Sequence, residues 1–366
     1  MTYPKVAIII LNYTNWQDTI ECLESVLRND YPNYQVIVVD NGSPNNSMEY
    51  IKAWTEGRQE VLTPKPGHPL YDLSHPPVKK PIPYIYYTRE EAEKGGDFEL
   101  EEKLTKEWQE QRKSNNKELI PTSPYPLIFI QTGENIGFAG GNNIGIRYIL
   151  RKVDCEYVLL LNNDTAVEKD FLSELVKTAE SDSRLGIVGG KIFYYYKPDK
   201  IWYAGGELDL IRGSGYHFQR ESKKQEFEVT FITGCLMLFK KSTIQKVGLL
   251  PEEYFLVGED ADYCYQYLKA GFKLKVNNKS KIYHKISPTL GGGGSPIEAY
   301  YNTRNRLYFI TRKVKNFLYV IVFLIFFIPS RIIKILQFVF NWQIGKIKFL
   351  IRGFLDGLKG NMGKLR

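Results

Sequence analysis

Along the first half of the chain, apolar residues fall into short unbroken runs separated by stretches where they recur every three or four positions. KVAIIIL, QVIVVD, LIFIQT and YVLLLNND are the runs, of the kind that suits strands covered on both faces. Between them Trp16, Ile20, Leu23 and Leu27 keep helical spacing, and SMEYIKAW and FAGGNNIGIRYILRK read as helices. Strands alternating with helices predict a parallel α/β sheet with helices on both faces, and such sheets bind ligands at the carboxyl ends of their strands. Those ends are polar or glycine-rich here: LNYTN, VDNGS, TGENIG and NNDT. Four together outline a site, with Asn12, Asp40, Asn41, Asn135 and Asn162 among its side chains.

The alternation stops between residues 57 and 126, where proline and tyrosine stud residues 62–87 and DFELEEKLTKEWQEQRK predicts a charged, solvated helix. This stretch reads as an insertion on the rim with structure of its own. Further on, LGIVGGKIFYY, EVTFITGCLMLFKK, KLKVNN and SKIYHKI predict strands, and ADYCYQYLKAGF a helix stopped by Gly271. A GGGGSP loop, an aromatic and basic helix and a hydrophobic region follow. The expected divisions are a main domain over 1–290, a loop and basic helix over 291–315, and a helical tail over 316–366.

Composition adds little to this picture except at the tail. The 366 residues carry a net charge of +8, with acids gathered between Glu90 and Glu118 and bases after Tyr301. That asymmetry points the tail toward an anionic partner, membrane or nucleic acid. The four cysteines lack CxxC spacing, which argues for a reduced, cytosolic chain without a zinc cluster. FLYVIVFLIFFI is fully apolar but short of the roughly 20 residues of a spanning helix. Arg331, Lys334, Gln337 and Asn341 then recur at helical spacing, as in a basic amphipathic helix lying in an interface.

Several residues could do chemistry. Asp40 either forms a turn or accepts hydrogen bonds from a nucleoside. Gly137, Gly140 and Gly141 enter a helix where backbone could approach an anion, though GENIGFAGGNN is neither a Walker A nor a GxGxxG pattern. Asn162, Asn163 and Asp164 exceed what one N-cap needs, and a carboxylate beside carboxamides suits Mg²⁺ or Mn²⁺ on a diphosphate, with His284 as a nitrogen ligand. Glu259, Asp260 and Asp262 crowd one helix start, and a carboxylate base aimed at a hydroxyl is the functional alternative to dipole compensation. Gly234 and Cys235 are small residues that leave space for sugar or acceptor, or simply pack the core. Arg304 and Arg306 are candidates for binding phosphates, or are ordinary helix charges.

Together these stretches, with YYNTRNRLYFI, resemble the inverting glycosyltransferases of family 2, which have the GT-A fold, and within them the rhamnosyltransferase-like branch. The resemblance covers most of residues 4–312 outside the insertion. It implies a nucleotide-diphosphate-sugar donor held by Asn12, Asp40, Asn41, Asn135, Gly137, Gly140, Asn142, Asn162, Asn163 and Arg304. It puts Asn162–Asp164 at the family's DxD position, with the metal on Asp164 and His284, and Asp260, beside Glu259, at the base of its ED motif. Asn162 departs from the DxD pattern, and the long insertion has no counterpart. The implied partners are a glycan or lipid-linked acceptor and the cytoplasmic face of the cell membrane, with no nucleic acid. A nucleotidyltransferase lacks support, because no lysine-bearing glycine-rich loop follows the first strand. A non-catalytic binding protein on this scaffold is the remaining alternative.

Overall fold

The structure, a computed structural model, describes residues 3–114, 119–152, 154–286 and 295–365. In chain order its strands are β1 (Val6–Asn12), β2 (Tyr34–Asp40), β3 (Tyr84–Thr88), β4 (Leu127–Gln131), β5 (Tyr157–Asn162), β6 (Thr165–Val167) and β7 (Leu185–Tyr194). They continue with β8 (Lys197–Tyr203), β9 (Gly206–Asp209), β10 (Ser214–His217), β11 (Glu226–Val229), β12 (Leu236–Lys240) and β13 (Lys273–His284). One sheet runs β11-β13-β7-β12-β5-β1-β2-β4-β3, with β6 added to β13 and β8 to β7, while β9 and β10 form a separate hairpin.

From β5 to β3 every pairing is parallel. β1 explains why this half sits at the centre: Val6 to Ile10 have no exposure at all, and each Val or Ile among them is worth about 1.5–3 kcal/mol when buried. Register aligns Asn12 with Asp40, Asp40 with Gln131, and Leu11 with Asn162, so the polar strand ends lie level. β12 runs antiparallel to β5 and to β7, which brings residues 233–235 to the same edge. β13 returns parallel to β7 and ends with His284 opposite Thr165 of β6. The fold is the expected α/β arrangement of GT-A type, parallel in its first half and mixed in its second.

Three stretches differ in detail from the sequence pattern. The segment expected on the rim supplies β3, whose Ile85 and Tyr87 turn inward while Tyr86 and Thr88 face out. Period-two burial was hidden there by the surrounding prolines and tyrosines. Its charged helix, Phe98–Ser114, is not only a solvated face: Glu101 is buried and pairs with Lys152 at 2.8 Å and the Tyr87 hydroxyl at 2.9 Å. EVTFITGCLMLFKK is two strands, β11 and β12, parted at residues 230–235. The glycine run that opens the expected 291–315 segment, residues 291–294, falls outside the described residues.

The tail is two helices. Phe317–Phe340 runs unbroken through Pro329, and Ile344–Lys359 turns back to pack on the helix Pro296–Tyr308. Gly353 and Gly357 permit that approach: a Cβ on them would lie 2.5 Å from the Tyr300 carbonyl oxygen and 2.9 Å from that of Arg304. The Tyr300 hydroxyl donates to Asp356 at 2.8 Å. Much of the longer helix stays uncovered, with Phe317, Leu318, Ile325, Phe326, Leu336 and Phe340 all exposed.

Candidate active site

The ends of β1, β2 and β5 are joined by their own polar side chains. Asn12 donates to Asp40 at 2.6 Å and accepts from Thr19 at 2.9 Å, and Asn163 donates to the same Thr19 hydroxyl at 2.9 Å. Asp40 also takes the Ser43 N–H at 2.9 Å. Asp40 and Asn12 have no exposure. Their visible task is to fix the loop after β2, as the turn reading of VDNGS allowed, rather than to line an open cleft. Asn41 does the same for the next strand end: its amide donates to Asn135 and to the Gly137 carbonyl, and its carbonyl accepts the Ile136 N–H.

The glycines expected beneath an anion have internal reasons. Gly137 has φ +83°, and a Cβ there would sit 2.4 Å from the carbonyl oxygen of Phe255, which accepts the Phe138 N–H at 2.9 Å. At Gly140 a Cβ would press on Ile136, and at Gly141 on Leu11. The Asn142 side chain bonds back to the Phe138 carbonyl within its own helix.

Asp164 and His284 meet, Oδ1 to Nε2, at 3.0 Å, and the Asn162 amide lies 3.5 Å from the same ring nitrogen. Burial alone would push His284 down, but Asp164 and Cys235 outweigh it and hold the imidazole well above its ordinary pKa. The donor set of one carboxylate oxygen, one imidazole nitrogen once a metal displaces its proton, and one carboxamide fits Mg²⁺ or Mn²⁺, which complete their coordination with water and phosphate oxygens. No cluster of three His, Cys, Asp or Glu side chains converges among the described residues.

Asp260 stands at the start of the helix Glu259–Lys269, behind a loop in which Phe255, Val257 and Gly258 all have positive φ. Bulky residues in that region store strain that must be held from outside. Asn305 does so by donating to the carbonyls of Leu256 at 2.7 Å and Val257 at 2.6 Å, and Arg304 donates to Tyr254 at 2.7 Å. Arg304 is fully buried, with a second guanidinium nitrogen on the Gly363 carbonyl at 2.6 Å. It is therefore not a phosphate ligand but a clamp tying the loop to the C-terminal segment.

Asp260 itself takes the N–H groups of Gly234 at 3.2 Å and Ala261 at 2.8 Å. Gly234 is thus not open space. A Cβ on it would lie 3.2 Å from the Phe138 ring, and its N–H orients the carboxylate. Cys235 is buried with its thiol against His284, and its carbonyl accepts the Asn162 N–H at 3.0 Å. These two residues connect the carboxylate to the Asp164–His284 corner.

The neighbouring acids divide. Burial, then the charge of Asp260, pushes Glu259 up to about 8, and its Oε2 has no hydrogen-bond partner among the described residues. Asp262 points elsewhere, toward Gln266 at 3.1 Å and Lys313 at 3.7 Å. Asp260 lines a cavity of about 190 Å³ with Gly215, His217, Asn302, Asn305 and Arg306. A larger recess of about 570 Å³, walled by Trp54, Tyr71, His75 and Lys80, contains none of these site residues.

Sequence reasoning missed the aromatic cover of this corner. Trp202 meets both His284 and His217 edge-on at 4.8 Å, so β8 and the β9–β10 hairpin reach the site. It also missed Lys285, which pairs with Asp18 and Glu21; its place beside His284 was the available signal.

The chain matches the model of glycosyl transferase family group 2 over residues 157–355, and that of glycosyl transferase family 2 over residues 7–65. It belongs to this family. It is 29% identical over 141 residues to the low-salt glycan biosynthesis hexosyltransferase Agl10 of Haloferax volcanii, covering 38% of this chain and 46% of that protein. It is 25% identical over 245 residues to the dTDP-rhamnosyl transferase RfbF of Shigella flexneri, covering 63% of this chain and 78% of that one. The chain thus spans less than half of the first relative and most of the second. Among solved structures, the mannosyltransferase of Pyrobaculum calidifontis, in complex with GDP-Man and Mn²⁺, superposes with a TM-score of 0.51 at 12% identity. That likeness covers 98% of this chain and 88% of the other, and bears on the fold.

Proposed function

We propose that the protein moves a sugar from a nucleotide-diphosphate donor to an acceptor hydroxyl with inversion, in the assembly of a cell-surface polysaccharide or glycolipid. The observation that carries this reading is the Gly234–Cys235 connection, which sets a cavity-facing carboxylate beside a carboxylate–imidazole corner suited to a divalent metal. The hexosyl and dTDP-rhamnosyl transfer in the names of the two relatives supports a hexose or deoxyhexose donor.

In this mechanism Asp260 accepts the proton of the acceptor hydroxyl as that oxygen attacks the anomeric carbon. The nucleoside diphosphate leaves from the opposite face, so a single displacement inverts the centre and needs no protein nucleophile. Asp164 and His284, with Asn162, would hold Mg²⁺ or Mn²⁺, whose chemistry is to offset charge developing on the leaving diphosphate. Gly234 and Ala261 hold the Asp260 carboxylate through their N–H groups, and Asn305 and Arg304 hold the strained loop before it. The Asp40–Asn12–Thr19–Asn163 chain fixes the strand ends against which the donor nucleoside would lie. The uncovered face of Phe317–Phe340, with Lys334 beside it, supports residence at the cytoplasmic membrane surface.

The test is a binding and turnover screen of purified protein against nucleotide-diphosphate sugars, with Mn²⁺ or Mg²⁺ and with EDTA. At least one donor is expected to bind in a metal-dependent way and to release nucleoside diphosphate slowly to water. Binding to no donor, with metal supplied, would overturn the proposal.

A further inference from the structure

Arg306 forms part of the wall of the cavity beside Asp260, and a second arginine, Arg331, lies close enough to oppose its charge. Arg306, on the helix Pro296–Tyr308, uses its Nε on the Arg212 carbonyl at 2.6 Å. Arg331, on the helix Phe317–Phe340, donates to the hydroxyls of Thr303 at 3.2 Å and Ser330 at 3.3 Å. Their guanidinium carbons lie 5.5 and 5.0 Å from the centroid of one ring, that of Phe327. Among the described residues neither has a carboxylate at ion-pair distance; the nearby Asp209 is taken by Arg212 at 3.2 Å. Burial, with the charge of Arg331 second, pushes Arg306 down to about 10.

Two partly desolvated cations side by side cost free energy unless something pays for them. The shared ring is one partner, and cation–π attraction is worth about 0.5–2 kcal/mol. One ring shared by two guanidiniums does not cancel the repulsion between them. A guanidinium fork matches phosphate oxygens in geometry and charge.

Position says which phosphate. Arg306 is part of the cavity wall that includes Asp260, so an anion on it lies against the space where a hydroxyl would be deprotonated. Arg331 belongs to the helix whose Ile325, Phe326 and Ile332 are exposed. The hairpin turn at Gly213 joins the two, since a Cβ there would touch Phe323 and Ile310 at 3.0 Å. The line from base to guanidiniums to apolar surface has the order of a sugar, a phosphate and a lipid chain.

We propose that Arg306 and Arg331 bind the phosphate of a lipid-linked acceptor, whose sugar enters the cavity beside Asp260 while its chain lies along the exposed face of Phe317–Phe340. This rests on the reading of Asp260 as the transferase base.

The test uses full-length protein in neutral detergent micelles, with farnesyl diphosphate as the probe and farnesol as its phosphate-free control. Wild type is expected to bind the diphosphate at least about tenfold more tightly than the alcohol, in line with charge-assisted hydrogen bonds. Arg306→Gln with Arg331→Gln should erase that preference, and the double Lys variant should keep part of it. Nucleotide-sugar binding should be the same in all three proteins, which also reports that they fold. Equal binding of diphosphate and alcohol by wild type, or a preference surviving in the double Gln variant, would overturn the proposal. So would the same Arg-dependent binding of inorganic pyrophosphate alone or of phosphatidylglycerol vesicles, which would mark a general anion or headgroup site. Failure of wild type to bind any nucleotide sugar would instead sink the transferase reading.

Discussion

The two sides of the site are built to opposite rules. Under the parallel half, polar side chains at the strand ends satisfy one another: Asp40 with Asn12, Asn12 with Thr19, Thr19 with Asn163, and Asn41 with Asn135 and Gly137. On the side of Asp260, which we read as the acceptor side, charges are left over. Among the described residues Asp260 holds only backbone N–H groups, Glu259 keeps a buried oxygen with no partner, and Arg306 and Arg331 share the Phe327 ring with no carboxylate at ion-pair distance. The first side is a finished frame, rigid before any ligand arrives. The second is incomplete, and a buried polar group left unpaired is where a fold gives up stability for something it will bind.

The sharpest break between the sides should come from Asp260→Asn. It keeps the shape and one of the two N–H contacts, which fall on different carboxylate oxygens, and removes the base. Turnover should fall by roughly 10²–10⁴-fold, with donor affinity little changed because the frame is untouched. Glu259→Gln should cost far less, under about tenfold, since burial already keeps that carboxyl protonated near neutral pH. A pH–rate profile checks the same assignment. Burial raises Asp260 above its usual 3.8, so kcat/KM should decline on the acid side as pH falls through that raised value, at higher pH than an exposed aspartate would give. If Glu259→Gln proved the more damaging change, the base would be the other carboxylate.

Gly137→Ala should break the frame rather than the chemistry. A positive φ and a Cβ 2.4 Å from the Phe255 carbonyl oxygen together cost about 2–5 kcal/mol. Gly140→Ala, with ordinary φ and only the Ile136 side chain at 3.1 Å, should cost under about 1.5 kcal/mol. Denaturant midpoints measure both. Were Gly137 a ligand-contact glycine, its alanine variant would keep its midpoint and lose donor binding instead.

The frame was legible in the sequence because it is local. Each parallel strand announces itself as an apolar run, and its polar end follows at once, so Asp40, Asn162, Asp164 and the Gly137 loop could be picked out before their contacts were known. What those residues do was less legible. Whether Asp40 turns a loop or meets a nucleoside depends on Asn12, 28 positions away, and whether Arg304 meets a phosphate depends on Tyr254 and Gly363. The acceptor side depends on long-range pairing throughout. The β9–β10 hairpin had no strong apolar run, and Trp202 reaches His284 only because β8 folds back on β7; in the parallel half only the edge strand β3 hid, among prolines. Glu259 and Asp260 are adjacent in sequence, and what tells them apart is the Gly234 N–H and the cavity that Asp260 meets.

The smallest effect on chemistry, and the cleanest separation of the two sides, should come from the tail. Helix Phe317–Phe340 is 24 residues long and apolar enough to cross a membrane, about 36 Å at 1.5 Å per residue. Yet Arg331 is drawn back to Thr303 and Phe323 and Phe327 are buried against the domain, an arrangement that suits a helix lying along a membrane surface. Deleting residues 316–366 is a poor test, because Gly353, Gly357 and the Gly363 carbonyl are part of the packing around buried Arg304. Replacing exposed Phe317, Phe326, Leu336 and Phe340 with Gln removes only outward apolar surface. Each should weaken partitioning into anionic vesicles by on the order of 1 kcal/mol or more, so the fourfold variant should move largely to the soluble fraction. Its nucleotide-sugar binding and slow donor hydrolysis should stay within about twofold of wild type, because no contact of the strand-end frame or of Asp260 is altered. A wild-type protein that is soluble without detergent and ignores such vesicles would show that the exposed face meets something other than lipid. A variant that left the membrane and lost donor binding together would show that the two sides are one cooperative unit.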